Sequence, residues 1–223
     1  GPKQDGNLRY LRYANSVLRG NRGLLALLLF MAMFRTAVAD WSYVPSGSME
    51  PTLFAGDYLW VDKTRYGPTL PLLNTRLVSW NQPERGDVVT FIPPHRDQLF
   101  VKRVIAVPGD RVRLDGRVIF VNDQKLSVEY QPGSAWPLSA EERIGERTHL
   151  VQFGSDLRRP VYRDEFVVPQ RRYFVLGDNR DNSADSRFWG FVEEDRIMGR
   201  VTRVGWSFSQ RRPLRERLAH RIR

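Results

Sequence analysis

The sequence of 223 residues predicts a mainly β protein. A β-sheet core with an inserted β subdomain is expected to follow an N-terminal amphipathic helix and a single transmembrane helix. Three observations predict this fold class. A basic N-terminal segment leads into an uncharged, mostly apolar stretch at residues 23–34. After Trp41, apolar runs alternate with turn signals and no long helical periodicity remains. Residues 126–169 are polar and interrupted by proline and glycine, which indicates an insert.

Residues 1–41 are predicted to form a basic cytoplasmic segment and a membrane anchor. Apolar residues recur on one face of the first segment, as in a helix on a membrane surface; they are Leu8, Leu11, Ala14 and Leu18. Residues 23–34 cover only about 18 Å of helix, whereas a bilayer core needs about 30 Å, so the span must continue towards Ala39. The arginines before Gly23 predict a cytoplasmic N-terminus and a domain outside after Trp41.

Two other interpretations of the apolar stretch stay open. So short a stretch also suits a buried helix of a soluble core. It could instead be a cleavable secretory signal, because a basic region, an apolar region and Ala37-Val38-Ala39 match that pattern. A retained anchor is the favoured interpretation.

Turn signals mark out the predicted strands. Gly-Asp pairs precede apolar or alternating runs at residues 56–57, 86–87 and 109–110. Hairpin signals flank the apolar run 118–121 at Asp115-Gly116 and Asn122-Asp123. Other strand signals lie at 150–153, 166–168, 173–176 and 200–208. The predicted domains are a β core at 42–125 and 170–210, an inserted subdomain at 126–169 and a basic tail at 211–223.

The net charge of +10 is concentrated at the two ends of the chain. Residues 1–22 carry five cationic side chains against Asp5, and residues 211–223 carry six arginines against Glu216, so residues 23–210 come to only +1. A nucleic-acid-binding domain would spread its basic surface over the fold. The distribution therefore predicts a lipid bilayer as partner and no nucleic acid. Without cysteine, disulfides and zinc–thiolate sites are excluded.

The first segment whose side chains could take part in catalysis is P-S-G-S-M-E-P at residues 45–51. Pro45 fixes one φ angle and Gly47 permits a close backbone approach, so two serine hydroxyls lie on a stiff, irregular loop. Ser48 could attack a carbonyl while its own N–H and the Ser46 hydroxyl bind the developing oxyanion. Taken alone, the segment could also be an ordinary Ser/Gly turn.

Serine chemistry needs a base, and Lys102 is the candidate in a chain with only three histidines. In a predicted strand at 99–105, Lys102 shares a face with Phe100 and Val104. Burial disfavours the charged amine, and its pKa must fall from about 10.4 to roughly 7–8 for it to act as a base near neutral pH. Arg103 points to the other face and needs a carboxylate partner. A surface pair on an edge strand is the alternative.

The third segment is G-D-N-R-D-N-S-A-D-S-R at residues 177–187. Its Asp, Asn and Ser side chains favour a turn rich in hydrogen bonds from side chain to backbone. The pattern of a calcium-binding hand is absent, so neither a metal nor a cofactor is predicted. Alone, the segment indicates a structural loop.

Together, these segments closely resemble the sequence boxes of bacterial type I signal peptidases, membrane-anchored Ser/Lys proteases that remove signal peptides from exported proteins. The resemblance lies in P-S-G-S-M-E-P-T-L, F-V-K-R-V-I-A-V-P-G-D and G-D-N-R-D-N-S-A-D-S-R, in that order. It covers the anchor and most of residues 42–112 and 173–206, but not the insert. It implies a signal-peptidase-like β core with an apolar surface that dips into the outer leaflet. The single short anchor and the lack of a disulfide depart from some members.

The resemblance also implies roles for the matched residues. Ser48 matches the nucleophile and Lys102 the general base. Ser46 matches the oxyanion-hole hydroxyl that assists the Ser48 N–H, and Ser183 matches the hydroxyl that orients the lysine. The implied supporting ion pairs are Asp185 with Arg187 and Asp178 with Arg103. The implied substrate pocket for small side chains consists of Val44, Pro45, Met49, Leu53, Phe100 and Val101.

The sequence therefore predicts a single-pass signal peptidase of the bacterial inner membrane, with its catalytic domain on the periplasmic side. It would cleave exported preproteins after Ala-x-Ala-like sites through an acyl-enzyme. A specialised peptidase for pilin or conjugation substrates is an alternative with the same dyad. A catalytically idle, membrane-tethered β-domain that binds lipid or a secretion partner is an alternative of another class. No oligomeric state is predicted.

Overall fold

The structure, a computed structural model, describes residues 21–24, 26–28, 31, 39–67, 80–130, 137–154, 162–208 and 222. Within these residues the protein is mainly β, which confirms the predicted class. The strands are β1 Ala39–Tyr43, β2 Asp57–Asp62, β3 Val88–Phe91, β4 Phe100–Ala106, β5 Arg111–Asp115, β6 Val118–Val121, β7 Gln124–Lys125, β8 Ser127–Tyr130, β9 Leu138–Ile144, β10 Arg147–Phe153, β11 Arg163–Val167, β12 Arg172–Leu176, β13 Val192–Glu193 and β14 Ile197–Ser207. A four-residue α-helix spans Ser186–Trp189.

The largest sheet has seven strands in the order β1-β2-β14-β3-β4-β12-β13. Its strand pairs are antiparallel. Strand β14, the last of the described strands along the chain, lies between β2 and β3 and pairs with both. Strand β4 is interior because β3 and β12 flank it, so side chains on its buried face are removed from water.

The predicted Gly-Asp turns stand directly before β2, β3 and β5. Gly86 shows why glycine is needed in such a turn: its φ is +87°, in the left-handed region that side chains with a Cβ rarely adopt. The hairpin signals around residues 118–121 are also confirmed, since β6 pairs with β5 on one side and with β7 on the other.

Two smaller sheets complete the described fold. One has the order β10-β9-β8 and the other β11-β5-β6-β7. The predicted insert at 126–169 is therefore divided, because β11 pairs with β5 and not with β8–β10. Phe166 of β11 packs against Phe174 of β12, with ring centroids 5.1 Å apart, which ties the second sheet to the largest one.

The hydrophobic core lies in several clusters on and between the sheets. The cluster under residues 45–51 is formed by Val44, Met49, Leu53, Leu59, Val61, Val88, Val101, Val201, Val204 and Ile222. It joins β2, β3, β4 and β14 to the turn after β1. This packing gives the loop at 45–51 a rigid base.

The predicted N-terminal helix and anchor lie largely outside the described residues. Residues 22–24, 26–28 and 31 are helical, with Leu24, Leu27, Leu28 and Met31 exposed. Over the described ranges, no helix combines the length and apolarity needed to cross a membrane. Most of the basic tail at 211–223 also lies outside them.

Candidate active site

Ser48 lies at the centre of a single 3₁₀ turn, Gly47–Met49, between β1 and β2. The Glu50 N–H closes the turn by donating to Gly47 O at 3.1 Å, and Leu53 N–H donates to Met49 O at 2.9 Å. The buried Met49 side chain anchors the turn in the core, while Ser48 stays partly exposed. The hydroxyl of Ser48 is therefore held at the surface by a rigid support.

Lys102 extends from the interior strand β4 to this hydroxyl. Its Nζ lies 2.6 Å from Ser48 Oγ, although 54 residues separate the two in sequence. The side chain is only 3% exposed, and Nζ lies 5.6 Å from the centroid of the Phe100 ring. Burial lowers the pKa of Lys102 to about 8, although Asp185 and Asp178 act to raise it. A substantial fraction of the amine is then neutral in mildly alkaline solution.

Ser46 lies beside the dyad on the open side of the turn. Its hydroxyl donates to Ser48 Oγ at 3.3 Å. Ser46 is exposed, so its hydroxyl can rotate towards a substrate carbonyl that enters from solvent. Its role in an oxyanion hole with the Ser48 N–H stays a prediction.

The loop at residues 177–182 supports the nucleophile turn from the other side. Asn179 N–H donates to Ser48 O at 3.1 Å, and Asn179 Nδ2 donates to Gly47 O at 3.0 Å. Gly177 lies so close that a Cβ at this position would stand 2.4 Å from Ser48 O. Only glycine permits this approach of the two backbones.

Both pairs of charged residues implied by the sequence motifs form salt bridges. Arg103 Nε and Nη2 lie 2.9 and 2.8 Å from the carboxylate oxygens of Asp178, and both side chains are buried. Arg187 Nε and Nη2 each lie 2.8 Å from an oxygen of Asp185. The same Asp185 carboxylate accepts Gly177 N–H at 3.1 Å, so it fixes the start of the loop. A supporting role in catalysis stays a prediction for these four residues.

Ser183 is buried, but its predicted contact with Lys102 does not appear. Within the described part of the chain, Ser183 Oγ has no hydrogen-bond partner. The hydroxyl faces the Cα of Gly177, since a Cβ there would stand 2.3 Å from Ser183 Oγ. Its proposed orientation of the lysine therefore stays a prediction.

A cleft of about 330 Å³ opens beside Ser48 and Lys102. Of the predicted pocket residues, Val44, Pro45, Met49, Phe100 and Val101 line it. Leu53 does not: it is 0% exposed and packs in the core cluster under the turn, so its predicted place in the pocket is corrected.

Several lining residues were missed by sequence reasoning; they are Arg96, Gln98, Leu99, Asn182 and Ala184. Asn182 and Ala184 belong to the third motif and could have been found from it. Arg96 and Gln98 lie in the polar loop before β4 and carry no local signal.

Two residues of the insert, Glu142 and His149, were also missed by sequence reasoning. They lie close to Asp178 and Arg180 of the loop behind the nucleophile turn. Among the described residues, no cluster of side chains suits a metal ion.

The sequence has clear relatives. Residues 20–206 match the family described as "Signal peptidase, peptidase S26". A signal peptidase I from Pseudomonas aeruginosa is 32% identical over 203 residues, which cover 84% of this chain and 72% of that protein. A signal peptidase I from Buchnera aphidicola subsp. Schizaphis graminum is 29% identical over 237 residues, covering 86% and 76%. A crystal structure of a signal peptidase I from Enterococcus faecalis V583 is 27% identical, with a TM-score of 0.36, over 56% of this chain and 100% of that one.

Proposed function

The chain belongs to the signal peptidases of family S26, and we propose that it removes signal peptides from exported preproteins through a Ser48–Lys102 dyad. Family membership rests on the match over residues 20–206 and makes the protein a serine endopeptidase. One observation carries the assignment of the dyad: Lys102 Nζ lies 2.6 Å from Ser48 Oγ, and burial lowers the pKa of the lysine to about 8. A base within hydrogen-bond distance of a nucleophile is the requirement for serine chemistry.

The reaction begins when neutral Lys102 takes the proton of Ser48 Oγ as this oxygen attacks the scissile carbonyl. The oxyanion of the tetrahedral intermediate is stabilised by the Ser48 N–H and the Ser46 hydroxyl. The Lys102 ammonium then donates its proton to the departing amine, which leaves an ester on Ser48. Water, deprotonated by Lys102, hydrolyses this ester and regenerates the free hydroxyl.

The cleft beside the dyad selects small side chains before the cleaved bond. Val44, Phe100 and Val101 surround it with apolar surface, and Val44 and Val101 are themselves almost fully buried. Apolar walls of this kind favour the methyl side chain of alanine over polar and charged side chains. This supports cleavage after Ala-x-Ala-like sequences.

The protein is anchored in the bacterial inner membrane with its catalytic domain on the periplasmic side. The basic and apolar character of residues 1–41 supports this placement. Further support comes from an aromatic face on the edge of the largest sheet, composed of Trp41, Tyr43, Tyr58, Trp60, Trp206 and Phe208. Exposed tryptophan and tyrosine favour the interface between lipid and water. The aromatic face would bring the cleft to the outer leaflet, where signal peptides leave the bilayer.

Digestion of a purified preprotein by the full chain, read by mass spectrometry, tests the function. Ser48→Ala and Lys102→Ala should abolish cleavage, and so should Lys102→Arg, because a guanidinium stays protonated. Ser127→Ala and Lys125→Ala are matched controls on exposed strands of the smaller sheets, and they should cleave at the wild-type rate. Undiminished processing by folded Ser48→Ala would refute the proposal. The identities of the proteins cut would separate a general peptidase from one specialised for pilin or conjugation substrates.

A further inference from the structure

The hairpin of β9 and β10 packs directly behind the loop that supports Ser48. Gln152 N–H of β10 donates to Asp178 O at 2.8 Å, and Gly154 N–H donates to Asp181 Oδ2 at 3.0 Å. Thr52, four residues after the nucleophile, has its hydroxyl 2.5 Å from Asp178 Oδ2. The hairpin, the loop and the nucleophile segment are thus in continuous contact.

A buried ion pair is the strongest link between the hairpin and the loop. Glu142 of β9 and Arg180 of the loop pair through both oxygens and both terminal nitrogens, and the Nη1–Oε1 distance is 2.6 Å. The two side chains are 1% and 2% exposed. Burial acts to raise the pKa of Glu142, but Arg180 and His149 hold it at about 2, so the carboxylate is ionised. His149 Nε2 lies 3.2 Å from Glu142 and 3.9 Å from Asp178, between the two carboxylates.

Arg180 links the ion pair to the loop that contacts the nucleophile turn. Its Nε donates to Gly177 O at 3.2 Å, and its own carbonyl accepts from Arg187 Nη2 at 2.6 Å. Gly177 and Arg180 of the loop are therefore both held in place. Between them lies Asn179, whose two donors bond Ser48 O and Gly47 O.

We propose that the Glu142–Arg180 pair is a positioning device, through which the insert holds the loop at 177–182 and thereby sets the place of Ser48 Oγ relative to Lys102. The pair touches neither the cleft nor the reacting atoms, so Glu142 and Arg180 are positioning residues. The inference rests on the proposed function of the dyad. It gives the insert, which lies outside the three motifs of the sequence analysis, a role in positioning the nucleophile.

The geometry favours positioning over simple stabilisation. Moving two charges out of water offsets much of their attraction, so a buried ion pair contributes little to stability compared with apolar side chains of the same volume. Its two hydrogen bonds are directional, however, and fix the guanidinium plane that orients Gly177. A displacement of about 1 Å at a reacting group can lower the rate about a hundredfold.

The experiment compares kcat and KM of the full chain for a preprotein, with thermal unfolding measured for each variant. Glu142→Gln keeps the shape of the side chain and removes its charge. We expect kcat to fall about tenfold or more and KM to change less than about twofold, because the pair orients the nucleophile without touching substrate. Glu141→Gln is the matched control: it removes the same charge from the exposed face of the same strand and should retain the wild-type kcat.

Glu142→Gln removes the anionic partner of the buried Arg180, so the variant could lose activity simply because it unfolds. A second variant separates loss of positioning from loss of folding. Glu142→Leu combined with Arg180→Met removes both charges and fills the space with apolar groups. A folded double variant with a similarly lowered kcat would support the inference. A wild-type kcat in either folded variant, or a raised KM with unchanged kcat, would overturn it. Ser48→Ala is measured alongside: residual cleavage there would overturn the proposed function, and the inference with it.

Discussion

Lys102 is a cation buried on an interior strand, and its protonation state controls the dyad. Burial lowers its pKa to about 8, against the opposing effect of Asp185 and Asp178. Only the neutral amine can accept the Ser48 proton. Below the pKa the neutral fraction falls about tenfold for each unit of pH, and above it the fraction approaches a constant value.

We therefore predict that kcat rises with pH through about pH 8 and then levels off. The measurement is single-turnover cleavage of a preprotein between about pH 6 and about pH 10, with unfolding monitored over the same range. The control is the exposed Lys125→Ala variant, which should give the same midpoint. A rate that stays flat over the acidic half of this range, or that falls, would contradict the assignment of Lys102 as the base.

The close contacts of Gly177 lead to a second prediction at the scale of single residues. A Cβ there would stand 2.3 Å from Ser183 Oγ and 2.4 Å from Ser48 O. The Ser183 hydroxyl can rotate away, but Ser183 Cβ, which would stand 2.6 Å from the added Cβ, cannot. The Ser48 backbone cannot move without displacing its hydroxyl. We expect Gly177→Ala to lower kcat by about a hundredfold, the cost of a displacement of about 1 Å.

Gly154→Ala is the control for this substitution. It lies on the same loop contact, but its Cβ would meet nothing closer than 3.5 Å, an ordinary van der Waals distance. Its kcat should stay within about twofold of the wild type. Equal activity of the two alanine variants would show that the close approach at Gly177 does not position the nucleophile.

At the scale of strands, the aromatic face on β1, β2 and β14 predicts where the catalytic domain meets the membrane. The rings of Trp41 and Trp60 lie 5.2 Å apart, and Trp206 extends the same surface. If these indoles lie among the headgroups and upper acyl chains, as we propose, the fluorescence of the full chain should be quenched in vesicles made with brominated lipid chains.

Replacing Trp41, Trp60 and Trp206 with phenylalanine should remove most of the quenching. Trp80→Phe is the matched control, since Trp80 is somewhat more exposed than these three tryptophans but lies outside their strands, where its Nε1 donates to Thr64 O at 2.9 Å. If the triple variant is quenched as strongly as the wild type, the aromatic face does not contact lipid.

Strands marked by a turn signal or by an apolar run could be predicted from the sequence, whereas β9 could not. β2, β3 and β5 each begin after a Gly-Asp turn and carry apolar residues at the buried positions. β9 was missed because Glu142 occupies a buried position between Ala140 and Ile144, so its alternation of polar and apolar residues is hidden. A buried charge is acceptable there only because Arg180, distant in sequence, neutralises it.

The same physical distinction applies to the candidate site. Ser48, Lys102 and the loop at 177–187 stand in dense local motifs, and the resemblance of these motifs to those of signal peptidases implied that they meet in one site. Arg96 reaches the cleft only because of the path of the chain before β4. Leu53 was placed in the pocket from its motif, but the direction of its side chain depends on the packing of β2, β3 and β14 around it.

The whole molecule is organised by the position of β14. The nucleophile turn belongs to the β1–β2 side of the largest sheet, and Lys102 belongs to the β3–β4–β12 side. β14 pairs with β2 through residues 200–207 and with β3 through residues 197–200, so it joins the two sides. The core cluster under Ser48 also needs Val201 and Val204 from this strand.

A nascent chain can complete its largest sheet only after the segment from Ile197 to Ser207 has been synthesised. Because β14 pairs with both β2 and β3, the strands on either side of it are brought into one sheet by a segment that follows Ser48 and Lys102 in sequence. Full activity should therefore appear only in chains that have been translated past Ser207.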